Sequence, residues 1–132
     1  MHFSRTLLIA LDSLGYIGRM SGNAPTPLRD IASVVKASPT YLSKVLQQLA
    51  RVGFLCTVMG PHGGYCLARR PHDITLLEVV ELFGGPREAA TRQMADDGRG
   101  KVVEMLHWCA EPSRERLAGL TVADLAKAIG RD

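Results

Sequence analysis

Two hydroxyl–proline dipeptides, Thr26-Pro27 and Ser38-Pro39, stand twelve residues apart and constrain where two helices begin. A hydroxyl satisfies a free backbone N–H at a helix start, and proline at the first helical position gives up only a donor that lacks a partner there. After the first dipeptide, Leu28, Ile31, Val34 and Val35 form one face of "LRDIASVVK". After the second, Leu42, Val45, Leu46, Leu49 and Val52 make a stripe along "TYLSKVLQQLARV", and Gly53 stops the helix. The opposite side carries Thr40, Tyr41, Ser43, Lys44, Gln47, Gln48 and Arg51. Two short helices with a tight break, the second polar and basic outside, predict a helix-turn-helix, although an ordinary helix-packing pair fits these two elements equally well.

The following stretch, "GFLCTVMGPHGGYCLARRP", favours the helix-turn-helix. "FLCTVM" and "YCLA" are short and rich in strand formers, and "GPHGG" between them marks a hairpin. A helix-turn-helix followed at once by a glycine-tipped hairpin is a winged helix. Its tip, with Gly60, His62, Gly63 and Gly64, leaves little side-chain bulk to keep a nucleic-acid backbone away. Each strand holds one cysteine. If Met59 pairs with Tyr65, Cys56 and Cys66 are diagonal neighbours at about 7–8 Å, too far for an easy bridge. The expectation is two free, packed thiols.

The fold class expected for the whole chain is mainly α with a small β-hairpin wing: a winged helix-turn-helix plus a C-terminal dimerisation helix. A first helix over 3–20 carries Phe3, Leu7, Leu8, Leu11, Leu14 and Ile17 at helical spacing, and Asp12 interrupts what would otherwise resemble a secretion signal. After the wing, "DITLLEVVELFGG" is helical, with Thr75 and Glu78 as a capping box and Gly84 as its stop. Residues 86–100 read as a loop or weakly formed structure, "KVVEMLHWCA" as a strongly apolar helix that Pro112 interrupts or restarts after Ala110, and Thr121 as the cap of a short terminal helix. We therefore divide the chain into a DNA-binding part, 1–85, and loop and dimerisation helices, 86–132, within one compact unit. No apolar run approaches the roughly 18 residues of a membrane span, so a cytoplasmic protein without membrane contact is expected.

Charge points toward a polyanion. Residues 1–70 hold eight Lys/Arg against Asp12 and Asp30, a net of +6, whereas residues 71–132 hold eight basic and eleven acidic residues, a net of −3. The three cysteines, 56, 66 and 109, match no zinc spacing, and the four histidines are scattered. No Ser/His/Asp set, phosphate loop or carboxylate pair stands out, so no enzyme activity is expected.

"LRDIASVVKASPTYLSKVLQQLARVGFL", "GPHGGYCLARRPHDITLLEVVELFGG" and "LTVADL" together resemble the Rrf-type winged-helix transcription regulators, the group of IscR, NsrR and CymR. The likeness is weakest between residues 86 and 110. It implies a homodimer that binds a semi-palindromic operator in double-stranded DNA and usually represses transcription. It also implies base reading at Thr40, Tyr41, Ser43 and Lys44, although Tyr41 could instead pack on the core. Gln47 and Arg51, further along, suit phosphate contact or plain solvation more than base reading, and Ser38 sits at the helix start, where phosphate is favoured. The dimer interface expected from residues 98–120 and helix 1 includes Val102, Val103, Leu106, Trp108 and Cys109.

Many relatives in the group hold an iron–sulfur cluster on three closely spaced cysteines. Residues 86–107 here contain none, so no cofactor is expected. The group's wing commonly has an arginine before its first glycine, and here Met59 stands there, with His62 able to supply a cation when protonated. Two other readings stay open: a winged helix that docks on protein without an operator, and a cluster- or redox-sensing regulator. The residues name no small-molecule effector.

Overall fold

The computed structural model describes residues 3–20, 24–83, 102 and 114–129. Helix α1, Arg5–Arg19, begins at Ser4, whose hydroxyl accepts the Leu7 N–H at 3.1 Å. It is the central element. Leu7, Leu8, Ile9, Ala10, Leu11 and Leu14 have no exposed surface, and Asp12, Ser13, Gly15 and Gly18 are buried too. Helical spacing marks one apolar face; the structure buries nearly all of them.

The reason lies far along the chain. Helix α2 (Leu28–Val35), helix α3 (Pro39–Arg51) and the hairpin cover one side of α1, while helix α6, Val122–Ile129, lies along another. Gly15 permits this approach, since a Cβ there would stand 2.4 Å from Ile129 Cδ1 and 3.1 Å from Leu125 Cβ. An interior helical glycine costs roughly 0.5–1 kcal/mol against alanine, and close packing of Leu125 and Ile129 offsets it. Most of helix 1 is thus buried in the protomer's own core, and Arg5 and Arg19 are the residues it leaves exposed.

Helix α3 follows its sequence signals. Ser38 accepts the Tyr41 N–H at 3.2 Å, Pro39 occupies the first turn, and Leu42, Val45, Leu46 and Leu49 are buried. Val52 lies beyond the last turn, 47% exposed, and Val34 on α2 is 43% exposed, so neither joins the stripe assigned to it. The start of α2 also differs. Pro27 is its N-cap, without a side-chain hydrogen bond. Thr26 is buried and pairs instead with Tyr65, each backbone N–H donating to the other's carbonyl at 2.9 Å. Between the helices Lys36 adopts left-handed φ of 55°, and its N–H donates to Ala32 O.

Strands β1 (Leu55–Val58) and β2 (Gly64–Leu67) pair antiparallel, Leu55 with Leu67, Cys56 with Cys66, Thr57 with Tyr65 and Val58 with Gly64. Tyr65 thus faces Thr57 and not Met59, two positions from the expected register. Thr26 docks on the free edge of β2 and draws Gly64 out of the tip into the ladder. A short 3₁₀ turn, Pro71–Asp73, leads to α4, Leu76–Leu82. There the capping box forms as expected: Thr75 accepts the Glu78 N–H, and Glu78 accepts the Thr75 N–H at 3.0 Å.

Helix α5, Arg114–Gly119, packs beside α4, and Arg114 pairs with Glu81. A bridge between Thr75 and Thr121, with Leu76 N–H to Leu120 O and Val122 N–H to Ile74 O both at 2.9 Å, ties the terminal segment to the middle of the chain. The Thr121 N–H donates to the Asp124 carboxylate at 2.8 Å, securing the start of α6. Of the helix expected over 101–110, Val102 alone is described; it is helical and 1% exposed. Gly84, the 86–100 loop and Pro112 lie outside the described residues. No described helix is long and apolar enough to cross a membrane.

Candidate nucleic-acid interface

The outer face of α3 is built by spacing. Lys44, Gln47 and Arg51 stand three and four residues apart, so they share one side, opposite buried Leu42, Leu46 and Leu49. All three are exposed. Gln47 donates from Nε2 to Ser43 Oγ at 3.0 Å, which orders a local polar pair and leaves the amide oxygen outward. Thr40 is also exposed, at the first turn. Ser38 is exposed, but its hydroxyl is occupied as the helix cap.

Tyr41 is placed differently from its expected role. Its ring is half-buried against the core, its hydroxyl lies 2.6 Å from Thr6 Oγ1, and the Arg5 guanidinium sits 5.9 Å from the ring centroid. The side chain thus braces α3 against α1, the packing alternative weighed for it above. A cation over an aromatic face adds about 0.5–1 kcal/mol at an exposed site. Arg5, counted among the basic residues of the front half, is partly committed to this contact.

Charge compensation reshapes the rest of the basic surface. Arg69 donates to Glu78 at 3.0 Å and to the Asp73 carbonyl, and its guanidinium lies 5.6 Å from the Phe54 ring centroid. Arg70 donates to Asp73 at 3.0 Å. Both acids lie just past residue 70, so dividing the sequence there exaggerated the asymmetry. Burial pushes the Glu78 carboxyl up, but the Thr75 N–H, the Arg69 guanidinium and the Thr75 hydroxyl together bring it below the ordinary value. Among the described residues, Lys36, Lys44 and Arg51 have no acidic partner, and they lie on the helix-turn-helix.

The wing tip projects into solvent. Gly63 N–H donates to Gly60 O at 3.0 Å, closing a turn with Pro61 at its second position, where fixed φ suits the bend. Gly60 has φ of 104°. Pro61 and His62 are exposed, and Met59 is 85% exposed, so the tip presents an apolar thioether and an imidazole. Gly64 serves the root of the wing, because a Cβ there would meet Thr26 O at 2.2 Å.

Cys56 and Cys66 are free and directly opposed across the hairpin, not diagonal as expected; Cys56 is exposed and Cys66 half-buried. Among the described residues no group of three His, Cys, Asp or Glu side chains could hold a metal ion. The dimer candidates divide. Val102 is buried in the protomer's own core and has almost no surface to offer a partner, while Val103, Leu106, Trp108 and Cys109 lie outside the described residues.

Known proteins share this arrangement. NsrR of Geobacillus kaustophilus, an HTH-type transcriptional regulator, is 35% identical over 71 residues, covering 54% of this chain. An HTH-type transcriptional regulator of Aquifex aeolicus is 37% identical over 84 residues, covering 64% of this chain. The chain spans only 48% and 58% of the length of these two relatives. The structure of CymR, the global cysteine regulator of B. subtilis, superposes with a TM-score of 0.71 at 22% identity, over 96% of this chain and 97% of CymR, a likeness of fold. The family model described as "Rrf2: Iron-dependent Transcriptional regulator" matches residues 3–128. With its winged helix-turn-helix and a family match from the first helix to the last, the chain belongs to the Rrf2 family.

Proposed function

We propose that the protein is a DNA-binding transcription regulator that inserts α3 into the major groove and sets its wing against the phosphate backbone. The observation that carries this reading is the row of exposed side chains Lys44, Gln47 and Arg51 on α3, its two cations lacking acidic partners among the described residues. Cations at these positions neutralise phosphates, and Gln47 with Thr40 offers hydrogen bonds to base edges. The protein acts as a homodimer on a semi-palindromic operator, as a repressor, in the cytoplasm. Family membership supports this, and the dimer contact belongs to residues beyond Val102.

The test is duplex binding by fluorescence anisotropy across a salt series. Affinity falls steeply with salt, and Lys44→Ala lowers the log–log slope by about one unit. Absent or salt-insensitive binding would defeat the reading and favour a protein partner. Sedimentation of the full chain tests the dimer, and a monomer at micromolar concentration would reject it.

The family description mentions iron, and the donor set here does not suit a resident iron–sulfur cluster. Such clusters take four ligands, normally thiolates. The whole sequence has three cysteines, and two face each other on an exposed hairpin. We propose that the chain works without a cluster. Anaerobically purified protein is then colourless, and visible absorbance with bound iron would overturn this.

A further inference from the structure

The wing contains a juxtaposition that DNA contact does not require. Cys56 and Cys66 are cross-strand partners, and their position in the ladder follows from the hydrogen bonds. Ala68 N–H donates to Phe54 O at 3.0 Å, marking that pair as hydrogen-bonded. Alternation along an antiparallel ribbon makes Leu55–Leu67 non-hydrogen-bonded and Cys56–Cys66 hydrogen-bonded again. Cα atoms at such a pair lie about 5.5 Å apart, within the roughly 4.4–6.8 Å that a disulfide spans. Directly opposed side chains also leave the same face of the ribbon. The exposure of Cys56 and the half-burial of Cys66 leave both thiols within reach of solvent.

Cys66 has a second feature. It lines an open cavity of about 340 Å³ under the wing root, together with Met20, Tyr65, Leu67, Arg69 and Arg70. The space is sufficient for a small organic molecule. Its Arg70 side chain is 82% exposed, which leaves donors free beside its bond to Asp73. A compact thiol compound bearing carboxylates suits such a space.

We propose that Cys56 and Cys66 form a thiol–disulfide modification site that takes a carboxylate-bearing low-molecular-weight disulfide, of the oxidised-glutathione type, as oxidant. The Cys66 thiolate attacks one sulfur of the small disulfide, forming a mixed disulfide and releasing one small thiol. The Cys56 thiolate then attacks the Cys66 sulfur, forming the Cys56–Cys66 bond and releasing the second small thiol. Two protein thiols lose two electrons and two protons, and one small disulfide gains them. The mechanism is ordinary exchange through a thiolate. Opposed Cβ atoms in a ribbon sit about 4.5–5.5 Å apart, slightly wider than the roughly 3.5–4.5 Å of a relaxed disulfide, so the bond pinches the ribbon and is readily reduced. The site does not depend on the hairpin meeting DNA.

The experiment uses the full chain as Cys109→Ser, which removes the third thiol, incubated with oxidised glutathione and analysed by intact mass and peptide mapping. The expected product loses two hydrogens, links the peptides of Cys56 and Cys66 within one chain, and reverts with dithiothreitol. Adding Cys56→Ser stalls the reaction as a glutathione adduct on Cys66. Hydrogen exchange of residues 54–68 slows in the oxidised form of the Cys109→Ser protein. Stable adducts on both cysteines without a link, links between chains only, or no reaction would each overturn the proposal. Oxidation by diamide without reaction toward oxidised glutathione would overturn the assigned oxidant.

Discussion

Gly64→Ala should weaken folding far more than a surface hairpin substitution suggests. The new Cβ would stand 2.2 Å from Thr26 O and 2.5 Å from Thr26 C, both backbone atoms. Relief to ordinary contact at 3.4 Å moves the two segments apart by about 1.2 Å. The Thr26–Tyr65 bridge holds its two hydrogen bonds at 2.9 Å and does not survive that displacement. Each bond contributes about 0.5–1.5 kcal/mol net, with the upper end apt because Thr26 and Tyr65 are buried. The positive φ adds about 1–2 kcal/mol. The expected loss is about 2–5 kcal/mol, a large part of the roughly 5–15 kcal/mol that holds a domain folded.

Gly60→Ala is the control. Gly60 also has positive φ, 104°, but a Cβ there would meet nothing within 4 Å. It should cost only the conformational share, about 1–2 kcal/mol. Urea unfolding followed by circular dichroism measures both, with lower midpoints and unchanged slopes. If the two variants lose equal stability within about 0.5 kcal/mol, a range typical of minor surface changes, the close approach at Gly64 does not govern the wing root.

Other outcomes follow from the same contacts. Tyr41→Phe removes the 2.6 Å link to Thr6 and should cost about 0.5–1.5 kcal/mol while leaving duplex affinity unchanged; a selective loss of affinity in anisotropy would return Tyr41 to the groove. Met59→Arg places a cation on the exposed tip and should steepen the salt slope of duplex binding by about one unit; an unchanged slope would detach the wing from the backbone. Glu78 has a carboxyl held below its ordinary value, so it stabilises the fold above the ordinary carboxylate range, and that contribution is lost as pH falls through its depressed value. Glu78→Gln should therefore be less stable than the native protein at neutral pH, with the gap closing in acid; a gap independent of pH in urea melts would refute the assignment.

What could be read from the chain in advance is what local chemistry determines. Ser38-Pro39 starts α3, Thr75 and Glu78 cap α4, and the break after Met59 makes a hairpin, because each uses groups within a few residues. What could not be read depends on distant partners. Thr26 looks like a helix cap beside Pro27, yet β2 offers its backbone two hydrogen bonds, and a buried strand edge outcompetes a cap. Windows 59–63 and 60–64 make equally long tips, and the choice between them rests on Thr26, almost forty residues before Gly64. Moving the tip by that one residue shifts every cross-strand pair by two positions and places the cysteines opposite each other. Arg69 and Arg70 likewise looked free until Glu78 and Asp73 folded back on them.

The same bridge joins the two halves of the proposed interface. Thr26 is paired to β2 on the free edge of the wing, and Pro27 immediately after it caps α2. Helix α2 ends at Lys36, whose left-handed turn hands the chain to Ser38 and the start of α3. Any displacement of the wing root therefore passes through three consecutive, hydrogen-bonded or φ-restricted joints to the helix that carries Lys44, Gln47 and Arg51. Cys66 sits next to Tyr65 at the first of these joints. A bond from Cys66 to Cys56 that narrows the ribbon pulls on the edge where Thr26 is attached. The route from the thiol pair to α3 therefore runs through the hydrogen-bonded Thr26–Tyr65 bridge and the two turns that follow it.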